Sequence, residues 1–153
     1  MSYDRADWHY AGDFPKDLPP EAGGTHIGMF LAWAILNGLE NDFHKQRSAE
    51  LLAKLRRREL TGRQFFEAAC HEKFAEKDLN VEGNAFAQQY YADDTGKRGD
   101  YFADYKRVLV RGLPSFWHVA DTWENYDKIA PVISRRYEVW KNPPKKRWWQ
   151  FWK

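Results

Sequence analysis

Between Gly23-Gly24 and Gly38 the chain runs Thr25-His26-Ile27-Gly28-Met29-Phe30-Leu31-Ala32-Trp33-Ala34-Ile35-Leu36-Asn37, and this stretch constrains the fold more than any other. Ile27, Phe30, Leu31, Ala34 and Ile35 recur at helical spacing, and Trp33 and Leu36 widen the apolar surface beyond one stripe. Thr25 is placed to cap the helix start, and Gly38 can take the left-handed conformation that closes its end. A helix so apolar and so short belongs in a core, because a membrane span needs about 20 such residues. The later segments must therefore cover it.

Those segments read as amphipathic helices. Ser48 caps one carrying Leu51, Leu52 and Leu55 and ending near Arg58. Thr61-Gly62-Arg63-Gln64 matches a capping box and opens a helix with Phe65, Phe66, Ala69, Cys70 and Phe74 on one face. Asn80 caps a helix through Tyr91, and ADDTGKRG (92–99) is a surface loop. Phe102, Tyr105, Val108 and Leu109 mark a further helix, and Trp123, Tyr126 and Ile129 another; Pro131 is read as starting a last one with Val132, Ile133, Tyr137 and Trp140. Glu40 to Arg47 reads as a polar connection, and Ser115 to Ala120 as a short extended piece. Tyr3, Trp8, Tyr10, Phe14 and Leu18 anchor an N-terminal arm whose prolines forbid one continuous helix. The expectation is all-α: a compact bundle of about six helices around a central apolar helix. It forms one domain over 1–141 with an extended arm at 1–24, followed by a Pro/Lys/Trp-rich tail at 142–153.

Charge narrows the partners. Lys141, Lys145, Lys146, Arg147 and Lys153 place five positive charges in the last stretch, so the formal +2 of the whole chain leaves residues 1–140 mildly acidic. That argues against nucleic acid, which calls for a clustered basic face; the run Lys54, Arg56, Arg57, Arg58 is read as cations favouring a helix C-terminus. The single cysteine excludes an intramolecular disulfide, and the absence of an apolar leader after Met1 fits a cytoplasmic protein.

No nucleophile elbow, phosphate loop, dinucleotide fingerprint or zinc signature is present, so no catalytic residue, cofactor or metal is expected. Asp78-x-Asn80-x-Glu82-Gly83 imitates the start of a calcium loop, but Gln89 stands where a bidentate Glu is required, and an Asn-capped turn is the better reading. Cys70, on an apolar face, reads as a buried inert thiol. Glu67 and His71 stand four apart as a surface pair.

Two stretches, Trp8-His9-Tyr10-Ala11-Gly12-Asp13-Phe14-Pro15 running through Gly23 to Ala34, and Asp121 to Pro131, resemble a family of small bacterial proteins classed as a domain of unknown function, over residues 2 to 141. The resemblance implies a bacterial cytosolic helical protein and supplies no catalytic residues. Small proteins of this kind often accompany toxins as immunity partners.

The leading expectation is therefore a protein-binding module, an immunity protein that masks a toxin. Asp93, Asp94, Asp100 and Asp104, together with tail residues Trp148, Trp149 and Trp152, are its expected contacts. The alternative is an enzyme or small-ligand binder with a pocket between the arm and the core helix. It would be lined by His9, Asp13, Glu21 and His26 with Trp8 and Trp33 as walls. A third reading takes residues 145–153, basic and then aromatic, as a peripheral contact with an anionic membrane.

Overall fold

The computed structural model describes residues 1–144, so the expectation for 145–153, with Trp148, Trp149 and Trp152, lies outside the described residues. Eight helices occur among the described residues: α1 (Asp7–Tyr10), α2 (Thr25–Leu36), α3 (Asp42–Arg47), α4 (Ala49–Arg56), α5 (Gly62–Cys70), α6 (Val81–Tyr90), α7 (Asp100–Tyr105) and α8 (Trp123–Lys141). The fold is mostly helical but not all-α. Strand β1 (Ser2–Arg5) pairs antiparallel with β2 (Lys73–Ala75).

Helix α2 is the centre. Every residue from Thr25 to Ile35 is buried. Its end is a Schellman closure: Gly38 (φ +74°) donates to the Ile35 carbonyl at 3.0 Å and Leu39 to the Ala34 carbonyl at 2.9 Å. Its start differs from expectation. A 3₁₀ turn, Pro20–Gly24, runs straight into the helix, and the Thr25 hydroxyl accepts from Arg63 instead of capping. Helices α2 and α5 cross backbone to backbone at Gly28 and Gly62. A Cβ on Gly28 would collide with the main chain of Arg63, and one on Gly62 with the Gly28 carbonyl. Only glycine permits that approach.

The caps at Thr61 and Asn80 form as read, each side-chain oxygen accepting a main-chain N–H in the first turn of its helix, and Thr122 caps α8 in the same way; the Ser48 side chain caps nothing and faces His44 Nδ1 instead. Five other readings change. Glu40 to Arg47 contains α3, because Asn41 caps it and His44 turns inward. The helix opened at Thr61 stops at Cys70, where His71 (φ 52°) and Glu72 (φ 61°) adopt left-handed backbone and reverse the chain into β2. Helix α7 passes into a π-helical turn at Lys106–Val110, and Phe116–His118 is a 3₁₀ turn instead of an extended piece. Pro131 starts no new helix. It lies exposed inside the continuous α8, where only solvent meets the missing hydrogen bond.

The arm is tied down by β1, α1 and the 3₁₀ turn. The β1–β2 register is irregular between Ser2 and Asp4, so the consecutive residues Tyr3 and Asp4 are both buried. A bulge that re-aims one side chain is what carries a carboxylate inward.

Candidate functional site

That carboxylate is the hub of a buried cluster. His9 Nε2 lies 2.7 Å from Asp4 Oδ1, and His26 Nε2 lies 3.0 Å from Oδ2. Since a carboxylate only accepts, each Nε2 carries the proton and donates it. The Tyr91 hydroxyl also donates to Oδ2 at 2.7 Å, and the Arg5 amide to Oδ1 at 2.8 Å. Four donors from β1, α1, α2 and the end of α6 thus saturate one carboxylate. Burial alone would push Asp4 up, yet hydrogen bonds from His26 and His9 hold it well below the usual carboxylate range. Burial pushes His26 down, more than Asp4 raises it, so its imidazole is neutral at pH 7. Its Nδ1 has no hydrogen-bond partner, and the imidazole packs against the rings of Phe102, Phe116 and Trp117. His26 is 1 % exposed and Asp4 3 %, so the cluster is sealed.

Of the expected arm pocket, the structure brings together only His9 and His26. Asp13 and Glu21 are exposed, and Trp8 is 56 % exposed, so none of them walls the cluster. Trp33 is buried on the other side of α2, where its indole donates to Ser134 of α8 at 2.9 Å. Asp4, the residue that organises the histidines, is absent from the sequence reading. Its signal is faint, one acid inside a four-residue strand whose partner lies some seventy residues away.

A second sealed cluster joins α3, α5 and the 3₁₀ turn after β2. His44 Nε2 lies 2.8 Å from Asp78 Oδ1 and 3.8 Å from Cys70 Sγ, while His44 Nδ1 is 3.2 Å from Ser48 Oγ. Asp78 Oδ2 accepts from the Ala75 amide at 2.8 Å. His44 and Asp78 are fully buried and Cys70 is 1 % exposed. Burial, with the Asp78 carboxylate alongside, pushes the Cys70 thiol well up. This is no nucleophilic triad, because carboxylate and sulfur share the same imidazole nitrogen. Nor does the calcium-like run enclose a loop: Asp78 faces inward and Asn80 caps α6.

The expected aspartate surface also changes. Asp104 is 3 % exposed and takes Arg136 through both oxygens, at 2.9 and 3.0 Å, with the Tyr90 hydroxyl at 2.7 Å. It is a structural anion, not a contact. Asp93 turns inside its own loop, accepting from Thr95 and Lys97. Asp94 and Asp100 are exposed, Asp100 lying 3.7 Å from Arg136. Glu67 and His71 line a shallow concavity with Glu21 and Glu72, and burial raises Glu67.

Another concavity lies elsewhere. A groove of about 820 Å³ runs along α8 past the π-helical turn, lined by Arg107, Pro131, Val132, Arg135, Arg136 and Val139, with Ser134 and Glu138. It continues through Arg107 into a second hollow lined by Ala103, Lys106, Val110 and Arg111. Among the described residues Lys106, Arg111 and Arg135 make no ion pair. The surface therefore combines aliphatic side chains with cations, a combination the net charge of the body conceals.

Residues 2–119 match the model of a family described as a domain of unknown function, DUF7832. No curated protein and no solved structure matches the chain. Both sealed clusters fall within the matched span, whereas α8, the long wall of the groove, lies beyond it. No helix among the described residues is long and apolar enough to cross a membrane.

Proposed function

We propose, from the premise that the chain belongs to the DUF7832 family, whose function is unknown, that it is a protein-binding module whose gripping surface is the groove between α8 and the π-helical turn. The observation that carries this reading is the composition of that groove. Val132, Val139 and Val110 offer apolar contact, and Lys106, Arg111 and Arg135 add cations with no ion-pair partner among the described residues, whereas Arg136 and Arg107 are paired with Asp104. Clefts of this kind suit an amphipathic segment whose aliphatic side chains enter the groove and whose acids meet the cations. The convergent ionisable groups, by contrast, are closed to solvent, which favours gripping over chemistry.

The more specific form of the reading is a neutralising partner for a toxin. The groove then calls for an acidic, aliphatic surface on that toxin. The test is binding of a fluorescent helical peptide carrying Leu on one stripe and Glu elsewhere. Salt-sensitive binding is expected, weakened about tenfold in Lys106→Glu/Arg135→Glu, equal to about 1.4 kcal/mol. Equal affinity of wild type and double variant at low salt would remove the groove from the function.

A further inference from the structure

The His44–Cys70–Asp78 cluster has the construction of a metal site, and we infer that it binds a divalent zinc-type ion through His44 Nε2, Cys70 Sγ and Asp78 Oδ1. The donor atoms lie within 4.8 Å of one another and come from three separate segments. For tetrahedral zinc with bonds of about 2.3 Å to sulfur and 2.0 Å to nitrogen, the sulfur–nitrogen separation is about 3.6 Å. The separation here is 3.8 Å. The imidazole–carboxylate distance is 2.8 Å; it opens by about 0.5 Å to reach the tetrahedral value of about 3.3 Å.

The atoms that would not touch the ion are already anchored. His44 Nδ1 faces Ser48 Oγ, and Asp78 Oδ2 accepts from the Ala75 amide. Such outer partners fix ligand orientation in metal sites. The proton balance closes as well. On binding, the Cys70 thiol releases one proton to solvent, and the imidazole proton moves from Nε2 to Nδ1, where the Ser48 oxygen accepts it. A dication with one thiolate and one carboxylate is neutral, which a fully buried position tolerates far better than a net charge. The Asp4–His9–His26 cluster fails on both counts. Its ion would keep a net positive charge, and His26 Nδ1 would bear a proton with no acceptor.

Sealed ligands load during folding, so the protein is expressed in zinc-supplemented medium and its metal measured by mass spectrometry. A second sample is unfolded and refolded with Co²⁺. Cys70 is the single cysteine of the chain, so a sulfur-to-cobalt charge-transfer band in the wild type can arise only there. Stoichiometric zinc together with that band is expected, and Cys70→Ala loses both. A protein that refolds with Co²⁺ but shows no such band overturns the assignment even if the variant does not fold. So does stoichiometric metal that survives Cys70→Ala.

Discussion

Replacing Asp4 by Asn keeps the shape of the hub and removes its charge. The carboxylate accepts from His9 Nε2, the Arg5 amide, His26 Nε2 and the Tyr91 hydroxyl. An amide retains one acceptor oxygen, enough for two of these donors, and presents N–H groups to the other two. Hydrogen bonds to a charged acceptor are worth about 1.5–3 kcal/mol each, so losing two costs about 3–6 kcal/mol. His26 can relieve part of this by shifting its proton to Nδ1, but that buries an unpartnered donor. The net expectation is about 3–5 kcal/mol, within the range that losing two such hydrogen bonds gives. For a chain of this size that lowers Tm by on the order of 10 °C.

The pH dependence supplies a second reading of the same hub. Asp4 is depressed in the folded state, so its contribution is full above the unfolded value of about 3.9 and is lost as pH falls through the folded value. His26 is also depressed, so the unfolded chain binds the extra proton first and stability declines as pH drops below about 6.5. Both slopes run the same way, and Asp4→Asn should flatten the limb below about pH 4. Urea and thermal unfolding from pH 3 to 8 measure both effects. A variant within about 1 kcal/mol of wild type at pH 7, with an unchanged acid limb, would show that Asp4 is not the hub described.

Gly28→Ala should lower stability by about 3 kcal/mol or prevent folding, because its methyl meets the Arg63 main chain, which cannot move like a side chain; a Tm within 2 °C of wild type (on the order of 1 kcal/mol) refutes the crossing. Pro131→Ala should stabilise by about 1–3 kcal/mol, since alanine restores an N–H inside α8 at an exposed position; a lower Tm contradicts this. Thr61→Ala removes the acceptor for the Gln64 amide and a 2.6 Å hydrogen bond to Asp121, and chemical denaturation should register a loss of about 1–2 kcal/mol. Arg135→Glu, exposed and unpaired among the described residues, should leave stability within about 0.5 kcal/mol, so any change in peptide affinity reports the groove itself.

The legible parts of the fold were those written in local pattern. The central helix, its Gly38 closure and the caps at Thr61 and Asn80 each need only a few neighbouring residues, and they stand as read. What depended on distant partners was not legible. β1 is four residues long and becomes a strand only because β2 returns beside it. His44 lay in a stretch that looked like a polar linker, and nothing local distinguished it from its exposed neighbours Phe43, Lys45 and Gln46. Asp78 was read with the residues after it, as the start of a turn, whereas its partners are His44 before it and the Ala75 amide. Trp33 was assigned to the arm side of α2, but on a helix buried along its whole length the pattern does not say which neighbour receives each ring. The cationic groove was hidden for a different reason. Net charge averages over a surface, and the arginines of α8 and the π-helical turn are collected on one face only by the packing of those two segments.

The groove as the gripping surface is tested most directly by titrating isotope-labelled protein with the Leu/Glu peptide while following backbone amide resonances. The account predicts shifts concentrated at Ala103–Arg111 and at Pro131–Val139, fading as salt is raised. Shifts centred instead on His9 and His26, or on the concavity of Glu21, Glu67 and His71, would contradict it, as would a spectrum that does not change.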